Sequence, residues 1–514
     1  MSSQVLSRRG FLRVFGVGIG MTVLAACGGA ASQSGASTAA APGQQPTSVA
    51  AATPAGQSAA ATTAAPVAET QTPPAASAGK TVLRVQANPD EEKPTEDLFI
   101  QQHPDVAFDN LSITGIDHEE VASKILSMVA AGQPIDLGYA ATEATQLYAG
   151  QGLSLALDDY VKRDADTLKE YFADVHPSLV EAMMYEGSLY QLPFDFNAAN
   201  MYYNTKVFAE AGFKHPADDW SKDDFYNIAK TLTKKDSSGQ ATAFGYGWIN
   251  RLWGSWMPWI FVNGSNLLTE ERAPGGAWLW DTFYKDDPAA KGRGGGWRWR
   301  KPKANDPANV EALDFMVQLY NEGITPAVEL GGGGTLQGFF SSGKLAMTPA
   351  GGFWSGGLHN AGMKRGDFDV QLFPKWKNQR HQFGTASLFI FKQSPHKDLA
   401  WEYYKVRISK EGMKVHGVFN PVTLTTPTRR SMMTAERFAE TGPEHWQVFY
   451  DTLDKHPDTA PIPAPPVSNA ETTLFTSYTA KAMALEMKPQ EALDALQKEL
   501  EALFARNPKM YPAE

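Results

Sequence analysis

Three kinds of side chain in this sequence stand where they could do chemistry. The first lie in 189–212, which reads LYQLPFDFNAANMYYNTKVFAEAG. Asp195 and Asn197 interrupt an otherwise apolar strand there, just after Pro193, which cannot donate to a sheet ladder. Polar groups inside an apolar strand are costly unless the segment leaves one core and enters another. The pattern therefore predicts an interdomain crossing with a ligand-facing waist. The second kind is aromatic. Trp248, Trp253, Trp256 and Trp259 follow one another closely, and Trp354 ends a Gly-Gly-Phe-Trp run. Indole rings can serve as plates for the apolar face of a ligand; Trp253, Trp256 and Trp354 are the candidates, while Trp259 reads as core. The third is Cys27, the single cysteine of the chain, which excludes intrachain disulfides and cysteine-rich metal sites.

Catalytic patterns are weaker. A glycosidase needs two carboxylates flanking a bond, and acids are adjacent at Asp158-Asp159, Asp223-Asp224 and Asp286-Asp287. Pairs of this type are ordinarily solvated helix starts or turns. There is no Gly-x-Ser-x-Gly elbow, and His118-Glu119 lacks the second histidine of a zinc helix. The ten histidines are scattered along the chain. The glycine-rich stretch 332–338 is not followed by Gly-Lys-Ser/Thr, so it reads as a hinge or turn and not as a phosphate loop. A net charge of -10 excludes an electrostatic footprint for nucleic acid. A binding protein without cofactor or metal is expected, not an enzyme.

The elements that would carry these residues can be read in order. The folded part begins at Lys80 with a strand at 81–86, a polar loop at 88–91 and a helix around 96–102. Val121, Ile125, Met128 and Val129 recur at helical spacing, and 134–139 is a strand running into a loop with Thr142 and Glu143. Strand, helix, strand argues for an α/β lobe, in which ligands bind at the loops beyond the strand carboxyl ends. That points at Asp90 and Glu143. A second lobe follows the crossing, with a capping box at Ser221 to Asp224, a strand at 244–248 and a helix at 309–322. The Gly- and Trp-rich stretch 267–307 reads as an inserted arm. A second crossing is expected at 384–391, a helix capped by Ser394-Pro395 after it, and a third crossing at the proline-rich 461–466. Leu493, Leu496, Leu500 and Phe504 mark a terminal helix.

Residues 1–27 read as a signal peptide: Arg8, Arg9 and Arg13 precede an apolar stretch too short to span a bilayer comfortably. Ser7-Arg8-Arg9-Gly10-Phe11-Leu12 resembles a twin-arginine export motif, and Leu24-Ala25-Ala26-Cys27 resembles a lipobox in which Cys27 would carry lipid. Residues 28–79 are Ala, Ser, Thr, Gln, Gly and Pro with almost no charge, a disordered tether whose typical reach is roughly 40 Å.

The crossing also carries a family resemblance. Gly187, Tyr190, Leu192 and Pro193, then Tyr202, Tyr203, Asn204, Phe208, Ala211 and Gly212, resemble in register the extracellular solute-binding proteins of ABC importers, the maltose-binding type. Trp220 with its acids, Phe340 to Met347, Gly351 to Trp354, and Ala400, Trp401 and Tyr404 are similar to further stretches of that family; the likeness runs from about 81 to 504, the arm excepted. It implies an α/β two-lobed periplasmic-binding-protein fold (type II), each lobe a mostly parallel sheet flanked by helices. The lobes would be 80–197 with 384–457, and 198–383 with 458–514. It also implies a monomer, lipid-anchored outside the cytoplasmic membrane, that binds a sugar or oligosaccharide by hinge closure and delivers it to an ABC permease. Asp90, Glu143, Asp195, Asn197, Trp253, Trp256 and Trp354 are the expected ligand contacts. Asn197 stands where relatives place a ligand-contacting acid; it keeps the acceptor and loses the charge. No Arg or Lys cluster lies at these loops, which weighs against an anionic ligand. A polyol, a peptide, or a secreted glycosidase are the competing readings.

Overall fold

The computed structural model describes residues 79–511, apart from 114–117, 327–332 and 420–424. The chain divides into Met1–Gln71 and Thr72–Glu514. The signal sequence, Cys27 and all of the tether before Gly79 lie outside the described residues.

The first sheet is built on β1 (Thr81–Val85), whose Leu83 and Val85 are fully buried. It is flanked in parallel by β2 (Val106–Asn110) and β3 (Leu137–Ala141). The helix between β1 and β2, Pro89–Gln102, starts earlier than the sequence predicts. Asn88 accepts the amide of Asp90 at 3.1 Å and Pro89 occupies the first turn, so the expected polar loop is a helix N-terminus. The loop expected at Thr142 and Glu143 is likewise the first turn of a helix, Thr142–Gly150.

The crossing leaves the first sheet as β4 (Asp195–Ala198) and enters the second as β5 (Asn200–Asn204), with every residue of β5 buried. The second sheet continues with β6 (Ala241–Tyr246), and the arm that follows is a hairpin of β7 (Leu268–Arg272) and β8 (Trp297–Pro302). β9 (Leu345–Ala350) and β10 (Phe368–Gln371) complete the second sheet, in the order β10-β5-β9-β6 with Lys234–Lys235 at the edge. The chain then returns as β11 (Gln382–Ile390) and ends its strands with β12 (Ala460–Pro461), giving the first sheet the order β12-β11-β3-β1-β2, with β4 also on β11.

Both sheets are mixed: the first keeps mostly parallel pairings, β1 with β2 and β3 and β11 with β12, whereas in the second only β6 and β9 run parallel, short of the expectation there. β5 runs antiparallel to both β9 and β10, and β11 antiparallel to both β3 and β4. The reason is the connectivity: a strand arriving from the other lobe enters from the opposite end to those joined by helical crossovers. The three crossings lie side by side. Ala199 donates its amide to the Gln382 carbonyl at 2.9 Å, and Ala460 donates to that of His381 at 3.2 Å.

The second lobe packs around Trp259, fully buried, whose ring meets Phe225, Phe315 and Phe373 at centroid distances of 4.9, 5.0 and 4.6 Å. The box at Ser221 forms as expected, with the serine hydroxyl and Asp224 each taking the other's backbone amide. Two expectations shift. The glycine-rich stretch belongs from Gly333 to a helix, Gly333–Ser341. The helix after the second crossing starts at Lys397, because the Ser394 hydroxyl is drawn to Asp136 at 2.5 Å.

The arm contains a helix, Ala277–Phe283, between its strands, and it reaches the first lobe. Glu181, on helix Pro177–Ala182, is fully buried between Arg293 at 2.7 Å and Arg272 at 2.9 Å, and takes the Gly294 amide at 2.9 Å. Trp278 donates to Asp158 at 3.1 Å, and Gln146 donates to the Trp297 carbonyl at 2.8 Å. A Cβ on Gly295 would lie 2.4 Å from the Gly187 Cα, so the two backbones meet where only glycine fits.

Candidate functional site

Asp195 lies on β4 with β11 on one side and 426–428 on the other. It pairs with Ala386, whose amide donates to Asp195 Oδ1 at 3.0 Å, and Phe196 donates its own amide to the Thr426 carbonyl. Burial, the largest cause, pushes the Asp195 carboxyl up to about 7. The Ala386 hydrogen bond and the charge of Arg407 pull it down, while Glu143 and Glu91 push it further up. These three carboxylates therefore share one electrostatic neighbourhood. Tyr139, near the end of β3, belongs to it: burial first, then Asp195, Glu143 and Glu91, push its phenol well above the ordinary value.

Glu143 is buried in the first helical turn, accepting the Thr142 hydroxyl at 3.0 Å. Asp90 is exposed and its neighbour Glu91 is half-buried, while the next acid, Glu92, is fully buried against Arg407 at 2.6 Å. Burial and then the charge of Glu92 raise the Glu91 carboxyl. The helix start explains the substitution of one acid for the other, since adjacent residues point about 100° apart around a helix axis.

From the second lobe, a tight turn at Leu252–Trp256, with Gly254 at φ +71°, brings Trp253 across to the crossing. A Cβ on Gly384 would lie 2.6 Å from Trp253 Nε1 and 3.4 Å from Thr142 Oγ1. The indole thus sits directly over β11, beside the helix that carries Glu143. Its position is held by Gly254, whose amide donates to Gln382 Oε1 at 2.7 Å. The Phe353 ring lies 5.8 Å from Trp253 and is 37% exposed, one of three large apolar side chains so exposed among the described residues. Asn197 closes the ring of contacts, its Oδ1 accepting the Phe353 amide at 3.3 Å.

The structure thus brings together Glu143, Asp195, Asn197 and Trp253, and adds Glu91, Tyr139 and Phe353. It places the other predicted contacts elsewhere. Trp256 is interior to the second lobe, donating to Asn250 at 2.7 Å and meeting Trp248 and Phe475 edge-on. Trp354 is also interior, edge-on to Tyr202 at 5.8 Å and Phe340 at 5.4 Å. Asp90 faces solvent on the first helix. The added Glu91 and Tyr139 fall within the two loops that the strand-end argument singles out, so their signal was positional.

Chemically, this arrangement offers carboxylate acceptors and a phenol from one lobe, an amide at the waist, and two aromatic rings from the other, Phe353 exposed and Trp253 buried against β11. The family model for bacterial extracellular solute-binding protein matches residues 88–414. A binding protein of Brucella abortus is 22% identical over 305 residues, 59% of this chain and 65% of the relative. The maltotriose-binding protein of Pyrococcus abyssi is 23% identical, over 64% of this chain and 62% of its own length. The chain thus spans less than two thirds of the length of these curated relatives. Among solved structures, an ABC substrate-binding protein of Listeria monocytogenes in complex with cycloalternan superposes with a TM-score of 0.67 at 18% identity, over 82% of this chain and 98% of the other. Maltose-bound MalE3 of T. maritima gives 0.63 at 18% identity, over 82% and 99%.

Proposed function

Starting from the premise that this chain belongs to the bacterial extracellular solute-binding protein family, we propose that it binds a neutral sugar or oligosaccharide between its lobes and delivers it to an ABC permease. The family and the two-lobed fold are those of solute-binding proteins, which are not enzymes. The family implies an extracytoplasmic location, and among the described residues no helix is long and apolar enough to cross a membrane. The lobe boundaries lie close to those read from the sequence, 80–197 with 384–457 and 198–383 with 458–514, with the strand ends at Ala198, Gln382–Phe383 and Ala460–Pro461 belonging to the first sheet.

The observation that carries the reading is Trp253 lying over Gly384. It sets an aromatic plate from one lobe against the carboxylate neighbourhood of the other. Sugars need this combination, because their C–H faces pack on rings while their hydroxyls need acceptors. Trp253 and Phe353 serve as the plates, Glu91, Glu143 and Asp195 accept hydroxyls, and Asn197 contributes at the waist. Trp256 and Trp354 support the second lobe behind them. Cys27 carries the lipid anchor, so Cys27→Ala is expected to move the protein from the membrane fraction to the soluble one.

The test is a thermal-shift panel of glycans, polyols and peptides on the full-length protein, followed by recovery of the hit. A ligand at 100 times its Kd stabilises by about 2.7 kcal/mol, a readily measured shift. The expected result is stabilisation by an oligosaccharide recovered chemically intact. Stabilisation only by peptides, or conversion of the sugar to shorter products, refutes the assignment.

A further inference from the structure

Two of the histidines that look scattered in the sequence, His215 and His445, meet at one place outside the cleft. His215 lies in the loop between helices Thr205–Glu210 and Lys222–Leu232, Asp369 on β10, and His445 just before helix Val448–Asp454. The two imidazoles stack with centroids 3.7 Å apart and planes 13° from parallel. Both turn Nδ1 toward Asp369 Oδ2, His445 at 2.5 Å and His215 at 3.9 Å. The phenol oxygen of Tyr203 is a fourth polar atom in the group, 2.9 Å from His215 Nδ1 and 3.3 Å from Asp369 Oδ2.

We propose that His215, Asp369 and His445 form a binding site for a divalent transition-metal ion of the Zn²⁺ or Co²⁺ class, with the fourth position open to water beside Tyr203. The three ligand atoms already lie within 4.8 Å of one another. Tetrahedral coordination with bonds near 2.0–2.1 Å sets neighbouring donor atoms about 3.3 Å apart. Metal entry therefore opens the His445 contact by about 0.8 Å, closes the His215 contact by about 0.6 Å, and turns the two rings out of their near-parallel stack so that both in-plane Nδ1 lone pairs meet at the ion. These movements fall on loop residues.

The carboxylate is held ready. Asp369 is buried, and its other oxygen, Oδ1, accepts the amides of Val370 and His445, each at 2.9 Å. That fixes Oδ2 toward the two rings. Gln371 Nε2 stands 3.0 Å from His215 Nε2 and also donates to Pro216 and Asp218. In the metal-free protein the His215 Nδ1–H then donates to Tyr203, whose hydroxyl donates to Asp369. Metal entry exchanges this tautomer, placing the proton on Nε2, so the Gln371 amide that now faces Nε2 as a donor has to turn away. Two imidazoles and one carboxylate select borderline transition ions over Mg²⁺ and Ca²⁺, which require mainly oxygen ligands. The His445 side chain is 48% exposed, so the ion has a path from solvent. Bound metal would clamp the segment leading into Val448–Asp454 onto the edge of the second sheet.

The experiment uses untagged full-length protein stripped with chelator and titrated with Co²⁺, reading visible d–d absorption and displacement by Zn²⁺. One equivalent of Co²⁺ is expected to give bands of four- or five-coordinate metal. His215→Ala and His445→Ala, both at surface positions, are each expected to abolish the bands and weaken Zn²⁺ binding by about tenfold or more. His396→Ala is the control, since His396 faces Asp136 at 3.3 Å without a third ligand. It is expected to leave the bands unchanged. Absence of bands with wild-type protein, bands that survive either cluster replacement, or bands lost in the His396 variant overturns the proposal.

Discussion

Gly384→Ala gives the sharpest test of the aromatic plate. Gly384 lies inside β11 and has no left-handed backbone requirement, so alanine fits its conformation. The added Cβ would nevertheless stand 2.6 Å from Trp253 Nε1, well inside van der Waals contact, while its 3.4 Å approach to Thr142 Oγ1 is tolerable. The indole must move. Overpacking of this type costs about 1–3 kcal/mol, offset by about 0.4–1 kcal/mol because alanine restricts the unfolded chain. The apo protein is thus expected to lose between about 0 and 2.6 kcal/mol. The larger consequence is for the ligand. A displaced plate forfeits a stacking contribution of about 0.5–1.5 kcal/mol, which raises Kd about 2- to 12-fold. Calorimetric titration with the strongest glycan, alongside apo melting, reads both numbers, and Trp253→Ala should lower affinity at least as much. If both variants bind with wild-type affinity, Trp253 is not a plate and the site must be sought elsewhere.

Trp354→Ala is expected to lower apo stability by about 3–5 kcal/mol, the cost of emptying a tryptophan-sized core position, and a melting temperature unchanged from wild type would refute its interior placement. Asp195 titrates near 7 in the folded chain against an ordinary 3.8, so stability falls as pH rises between these values and stays low above them. Asp195→Asn should therefore gain stability relative to wild type across that window, a difference that urea unfolding at a series of pH values measures and that a pH-independent offset would contradict. Glu181→Gln leaves Arg293 buried without its counter-charge and should cost about 3–5 kcal/mol. Replacing Glu181 and Arg293 together by Met should cost less than that, and an additive double variant would refute the ion-pair account.

Much of the fold was legible because periodicity and punctuation report local structure directly. The apolar strand broken at Asp195 and Asn197 does cross between sheets, the serine box at Ser221 does cap a helix, and Trp259 is core. What could not be read depends on rotation and on partners. Asp90 and Glu91 have the same chemistry, and only the start of the helix at Pro89 decides which is half-buried. Trp253 and Trp256 sit in one turn, yet Gly254 at positive φ sends their rings to different surroundings. Trp354 follows an exposed phenylalanine, and its burial is fixed by Tyr202 and Phe340, distant in sequence. The direction of β5 and β11 follows from the end at which each enters its sheet, which no local pattern records.

The arm gives the two lobes a second mechanical connection, away from the three strands that join them. Its roots are in the second lobe, while Arg272, Arg293 and Gly294 hold Glu181 of the first and the glycine backbones interlock around Gly187. Any lobe motion that preserves these contacts must turn about a line passing near both the arm and the crossings, because both are fixed points. A motion that pulls them apart exposes a carboxylate that now has no contact with water and strands its arginines, at a cost of several kcal/mol. The insertion thus acts on geometry before energy: contacts kept at both places restrict the axis about which the lobes could turn.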